Sequence, residues 1–132
     1  MARQVLFRIV AIAFAAGAGY HAAASVYPAF HVAGSPARHA AFAVLYALCA
    51  YFLLKRPWWF VAAFAAVAVH AVSIHGTRAW VLLQEEQRYD WLSIAVVFLM
   101  PCILIFLVMD QIVRRRGSQS RDSLASQQSH PE

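Results

Sequence analysis

Six histidines punctuate an otherwise apolar chain, and five of them, His21, His31, His39, His70 and His75, precede the C-terminal tail. Neutral imidazole suits Zn, Cu and iron, and an open metal site combines two or three histidines with a carboxylate. His21, His39, His70, His75 and Asp90 make up such a candidate metal set. Local spacing assembles none of it, since His70 and His75 are five residues apart and point about 140° away from each other on an ideal helix. The four-residue His pair with an adjacent Glu that marks a zincin helix is absent. A b-type haem is the other expectation. His21 and His70 would ligate the iron axially, Arg38 and Arg78 would meet the propionates, and Phe14, Phe42, Tyr46 and Phe64 would line the pocket. No C-x-x-C-H is present, so covalent haem attachment is excluded.

Each of these residues also has a plainer role. A histidine within a membrane helix can donate to a carbonyl and hold two helices together. Asp90 is suited to cap a helix. A third chemistry makes His70 or His21 a general base oriented by Asp90, with Ser73 and Ser93 as the available nucleophiles. Cys49 and Cys102 fall at similar depth in two apolar runs and read as small hydrophobes rather than a redox pair.

The elements that position these groups follow from composition. Of 132 residues, 62% are hydrophobic and 13% charged, against about 45–50% and about 25% in a soluble domain. So little polar surface cannot cover a water-facing globule, and a bilayer must solvate part of the chain. Apolar runs recur at Ile9–Tyr27, Ala40–Leu54, Trp58–Ile74 and Trp91–Met109, near the roughly 17–25 residues that a spanning helix needs. The pattern predicts an all-α integral membrane four-helix bundle, up-down-up-down, as one domain over 1–116. Its helices fall at about 5–27, 37–55, 57–76 and 90–113, with a disordered polar tail over 117–132. Ser35-Pro36 reads as N-cap and first helical residue, Pro57 takes that first position in the third helix, and Gly117 stops the fourth. Pro101 interrupts one hydrogen bond inside the fourth helix. The stretch Thr77–Tyr89 either extends the third helix or lies on the interface, with Glu85 and Arg88 pairing across one turn.

Charge sets the orientation. Arg3, Arg8, Lys55, Arg56, Arg114, Arg115, Arg116 and Arg121 fall on one side of this topology, and only Arg38, Arg78 and Arg88 on the other. Positive residues favour the cytoplasm, so both termini are expected there, in a bacterial-type inner (plasma) membrane. The net charge of +5 then reflects anchoring to the bilayer, and no nucleic-acid-binding motif accompanies it. A rival reading treats Ala22-Ala23-Ala24 as a signal-peptide cleavage site, but Ile9–Tyr27 exceeds the usual apolar core of such peptides.

On this topology all five histidines lie toward the outer side. His21 and His70 form an inner layer about 9 Å deep, His39 and His75 a rim layer, and His31 is solvated. The expected function is a small polytopic membrane protein whose outer histidine cluster binds Zn, Cu or haem, as an accessory, sensor or electron-relay subunit. The alternatives are an assembly subunit within a homo-oligomer or larger membrane complex, and a membrane enzyme using a histidine base.

Overall fold

The computed structural model describes residues 2–27 and 35–128. The described chain is four helices: α1 (Ala2–Val26), α2 (Pro36–Lys55), α3 (Phe60–Glu85) and α4 (Trp91–Gln128). Each is long and apolar enough to cross a membrane. Apolar helices satisfy their own backbone groups, which is why a chain this poor in polar residues adopts them. They associate as two compact units, a hairpin of α1 and α2 in residues 1–57 and a hairpin of α3 and α4 in residues 58–132.

The first hairpin is zipped by residues at alternating spacings of three and four. Phe7, Ala11 and Phe14 are buried on α1, with His21 one further heptad along. His39, Cys49 and Leu53 are buried on α2, with Phe42 and Tyr46 half-buried between them. That rhythm is the coiled-coil seam, here between antiparallel neighbours. Phe14 meets Tyr46 with ring centroids 5.3 Å apart, and the Arg56 guanidinium lies 4.9 Å over the Phe7 ring at the opposite end from the helix connection. In the second hairpin Phe60, Phe64 and Ala68 of α3 and Ser93, Met100 and Leu107 of α4 are buried. The α4 positions are spaced by seven.

Several expected boundaries move. Ser35 caps α2 by accepting from the Arg38 N–H, and Pro36 follows as the first helical residue. Pro57 is not the first residue of α3. Arg56 closes α2 with a left-handed φ of 51° and donates its N–H to the Phe52 carbonyl at 2.6 Å. Trp58 and Trp59 then form a turn before the helix starts at Phe60. The third helix does not end at residue 76. Gly76 stays helical, and a glycine without a left-handed turn lowers helix stability by only about 1 kcal/mol, so α3 runs on to Glu85. The actual stop comes where Glu86 and Arg88 both donate N–H groups to the Leu82 carbonyl around Gln87, whose φ is 50°. Arg88 pairs with Glu86 at 3.3 Å, not with Glu85.

The fourth helix likewise passes Pro101 and Gly117 and reaches Gln128, so residues 117–128 are helical and do not belong to a coil. Propagating an existing helix fixes one residue per added hydrogen bond, without a new nucleus. The polar composition that argues against a packed core therefore does not stop this extension. Near the start of the exposed segment Arg114 pairs with Asp110 at 2.8 Å, one turn away.

Candidate functional site

Each hairpin carries a polar contact close to the segment that connects its helices, and in each an imidazole takes part. In the first, α1 and α2 run antiparallel, so His21, near the end of α1, comes level with His39 in the opening turn of α2. Their Nδ1 atoms are 3.0 Å apart. That contact requires one Nδ1 to carry a proton and the other to accept it. The two rings have centroids 5.2 Å apart, and Tyr20, Phe42 and Tyr46 each stand 5.3 Å from the His21 ring. The Arg38 guanidinium lies 5.7 Å over Phe42. Tyr46 can approach α1 this closely because residue 17 is glycine.

The expected layering is therefore wrong in one respect. His39 is not a rim residue beneath which His21 is buried; it is level with His21 and is the more buried of the two, at 7% exposure. The cause is the heptad seam, which turns position 39 inward together with 42, 46, 49 and 53. Of the aromatics expected to line a pocket, Phe14, Phe42 and Tyr46 do gather along this seam, while Phe64 is fully buried in the second hairpin.

In the second hairpin His75 Nδ1 is 2.9 Å from Ser93 Oγ. Ser93 Oγ donates to Asp90 Oδ2 at 2.8 Å, so His75 is the donor in its own contact with the hydroxyl. Asp90 Oδ1 accepts the Ser93 backbone N–H at 3.2 Å, which is an N-cap to α4. Arg78 Nε closes the chain on Asp90 Oδ2 at 3.0 Å. The Asp90 carboxyl is held below its ordinary range, chiefly by the Ser93 hydroxyl, then by the Ser93 N–H, with Arg78 adding to both against an opposing desolvation. Ser93, at 1% exposure, is a partner for His75 that sequence reasoning did not find.

This order does not set His75 up as a general base toward Ser93. A nucleophile needs the base to take its proton while the carboxylate holds the base. Here the carboxylate holds the serine, and the histidine donates to it. Ser73 is no better placed, since its hydroxyl donates to the Val69 carbonyl at 2.8 Å. His70 is exposed on α3, as the 140° separation from the inward-facing His75 requires. His31 and His130 lie outside the described residues.

The five-residue metal set divides between the hairpins, His21 and His39 in the first and His70, His75 and Asp90 in the second. Among the described residues no three His, Cys, Asp or Glu side chains gather as metal ligands would. What does come together is a two-imidazole subset of it. Two metal–nitrogen bonds of about 2.05 Å reaching nitrogens 3.0 Å apart would meet at about 95°, and a tetrahedral angle needs a separation of about 3.3 Å. A chelate would therefore need a separation a few tenths of an ångström larger and a turn of each ring toward the ion. Haem does not fit this pair. Axial imidazoles on opposite faces of an iron stand about 4 Å apart, with the macrocycle between them, and the His21–His39 contact leaves no such gap. Cys49 is buried and Cys102 exposed, and both are free thiols.

No protein-family model matches this chain, and no curated protein or solved structure is significantly similar to it.

Proposed function

We propose that this chain is a small multi-pass membrane protein that binds a transition-metal ion through His21 and His39, as an accessory or sensor subunit. The observation carrying the reading is the 3.0 Å approach of two Nδ1 atoms from different helices. Ionisable side chains inside a membrane helix are costly and mark function by default. A pair of imidazoles that meet through their ligating atoms is more than a single helix-bridging histidine needs. The proposed ion takes the place of the shared proton, which moves to the Nε2 of the ring that held it.

In this reading the helices alternate in direction across a bacterial-type plasma membrane, with both termini cytoplasmic and the His21–His39 pair toward the outer face. The distribution of basic residues supports that orientation, and Trp58, Trp59 and Trp91, all exposed, are suited to the interfacial aromatic belts.

Metal titration of the purified protein in detergent tests the proposal. One ion per chain should bind, and His21→Ala or His39→Ala should each abolish it. His70→Ala and His31→Ala should leave binding unchanged. Loss in His70→Ala with retention in His39→Ala would overturn this site.

A further inference from the structure

The 11 basic residues and 6 acidic residues are not shared evenly between the two hairpins. Arg3, Arg8, Arg38, Lys55 and Arg56 lie in the first, residues 1–57. Every acidic residue lies beyond it: Glu85, Glu86, Asp90, Asp110, Asp122 and Glu132. The first hairpin therefore has no carboxylate at all, and its one thiol, Cys49, is ten residues and nearly three helical turns from His39. Within this hairpin, the described groups around His21 and His39 are two imidazole nitrogens, the faces of Phe42 and Tyr46, and the Arg38 guanidinium over Phe42.

We infer that the ion taken by this pair is monovalent and d10, Cu(I), in preference to Zn²⁺, Cu²⁺ or Ni²⁺. The inference rests on the metal reading above and names the ion class for that same site. Charge in an apolar site is costly unless it is neutralised, and the cost rises steeply with the number of charges. A dication normally brings waters with it or is matched by carboxylate or thiolate. Neither anionic ligand is available in this hairpin, and the nearby Arg38 opposes a second positive charge. Cu(I) asks for less on each count. It accepts as few as two donors, it is satisfied by neutral imidazole, and a single positive charge is favoured by aromatic faces of the kind that surround His21. Two-coordinate binding requires only that the imidazoles swing apart from their 3.0 Å contact.

The experiment uses the full-length protein with Cys49→Ala and Cys102→Ser, so that no thiol competes for a soft ion. Cu(I), supplied anaerobically with a chromogenic Cu(I) chelator as competitor, is compared with Zn²⁺, Cu²⁺ and Ni²⁺. The expected result is Cu(I) binding more than about tenfold tighter than any of the dications, a difference of about 1.4 kcal/mol. X-ray absorption should show a nitrogen-only shell that His21→Ala and His39→Ala each remove. Arg38→Glu supplies the missing counter-charge without touching either ligand, and it should move the preference toward Zn²⁺ by about tenfold or more. Dications binding as tightly as Cu(I), or a preference unmoved by Arg38→Glu, would overturn the inference and leave the site standing. Failure of all four ions to bind would overturn the metal reading itself.

Discussion

Gly17 of α1 faces the ring of Tyr46 on α2 so closely that a Cβ at position 17 would lie 2.6 Å from Cδ1 and 2.8 Å from Cε1. The ring has little room to yield, since Phe14, His21 and Phe42 stand around it with centroid distances of 5.3, 5.3 and 6.5 Å. Gly17→Ala should therefore loosen the first hairpin. Overpacking of this kind costs about 1–3 kcal/mol, more than the roughly 1 kcal/mol that alanine returns in helix propensity. Gly19 is the control, because a Cβ there meets nothing within 4 Å. Gly19→Ala should be neutral or stabilising, and thermal unfolding of the two variants in detergent should order them Gly19→Ala, wild type, Gly17→Ala.

Asp90 gives the second hairpin a different acid limit from an ordinary carboxylate. Its folded-state pKa lies below the ordinary aspartate value, so its contribution to stability is present above the unfolded value and is lost as pH falls through the folded one. The Asp90 contribution to the α3–α4 clasp should thus keep its full strength from neutrality down to about pH 4 and weaken only below that. Asp90→Asn keeps a capping oxygen but removes the charge that meets Arg78, and its stability should vary less between pH 5 and pH 3. Asp90→Ala also removes the cap, a loss of about 0.5–2 kcal/mol. Unfolding midpoints measured across that pH range separate the three proteins.

Much of the helix content is legible because hydropathy alone requires it, and the cap at Ser35 is legible from the Ser-Pro pair that opens α2. The site was legible only by residue type. His21, His39, His75 and Asp90 stand out by type and form the polar contacts of the two hairpins, while depth alone does not say which imidazole His21 meets. The 3–4 spacing of Phe7, Ala11, Phe14 and His21, set beside that of His39, Phe42, Tyr46, Cys49 and Leu53, carried the true register and would have paired His21 with His39. Ser93 was seen only as a weak nucleophile, because a serine at the third position of a helix looks like capping chemistry until an imidazole arrives from another helix. The ends of α3 and α4 were misjudged for a local reason, as Gly76 and Gly117 lower helix propensity without supplying the left-handed turn that ends a helix.

The His75–Ser93 contact should show a measurable coupling. Ser93→Ala leaves the His75 Nδ1–H without its hydroxyl acceptor and takes one of the donors from Asp90, while the Ser93 backbone N–H and Arg78 continue to serve the carboxylate. Hydrogen bonds between membrane helices couple by about 0.6 kcal/mol on average and about 1.7 at most. A double-mutant cycle of Ser93→Ala with His75→Ala, read by unfolding in detergent, should fall within that span. A coupling of zero would mean that the two side chains stabilise the hairpin independently.

Orientation offers the last test, and the two hairpins make it sharper than a count of charges. Arg78 and Arg88 are each engaged by an acidic neighbour, Asp90 at 3.0 Å and Glu86 at 3.3 Å. In the first hairpin Arg3, Arg8 and Lys55 are exposed at the end away from the helix connection, and in the second Arg114–Arg116 stand at the start of the long α4 extension. Lysine and arginine near the ends of a span hold that end in the cytoplasm, with acidic residues contributing little. A reporter fused after Glu132 should therefore be active only in its cytoplasmic form, and a cysteine placed at Ala37 should react with a membrane-impermeant reagent from outside. Replacing Arg114, Arg115 and Arg116 with glutamine should weaken this bias and yield a mixed population. An external C-terminus in the unaltered protein would reverse the orientation and put His21 and His39 at the cytoplasmic face, where the ion they meet would come from the cytosol.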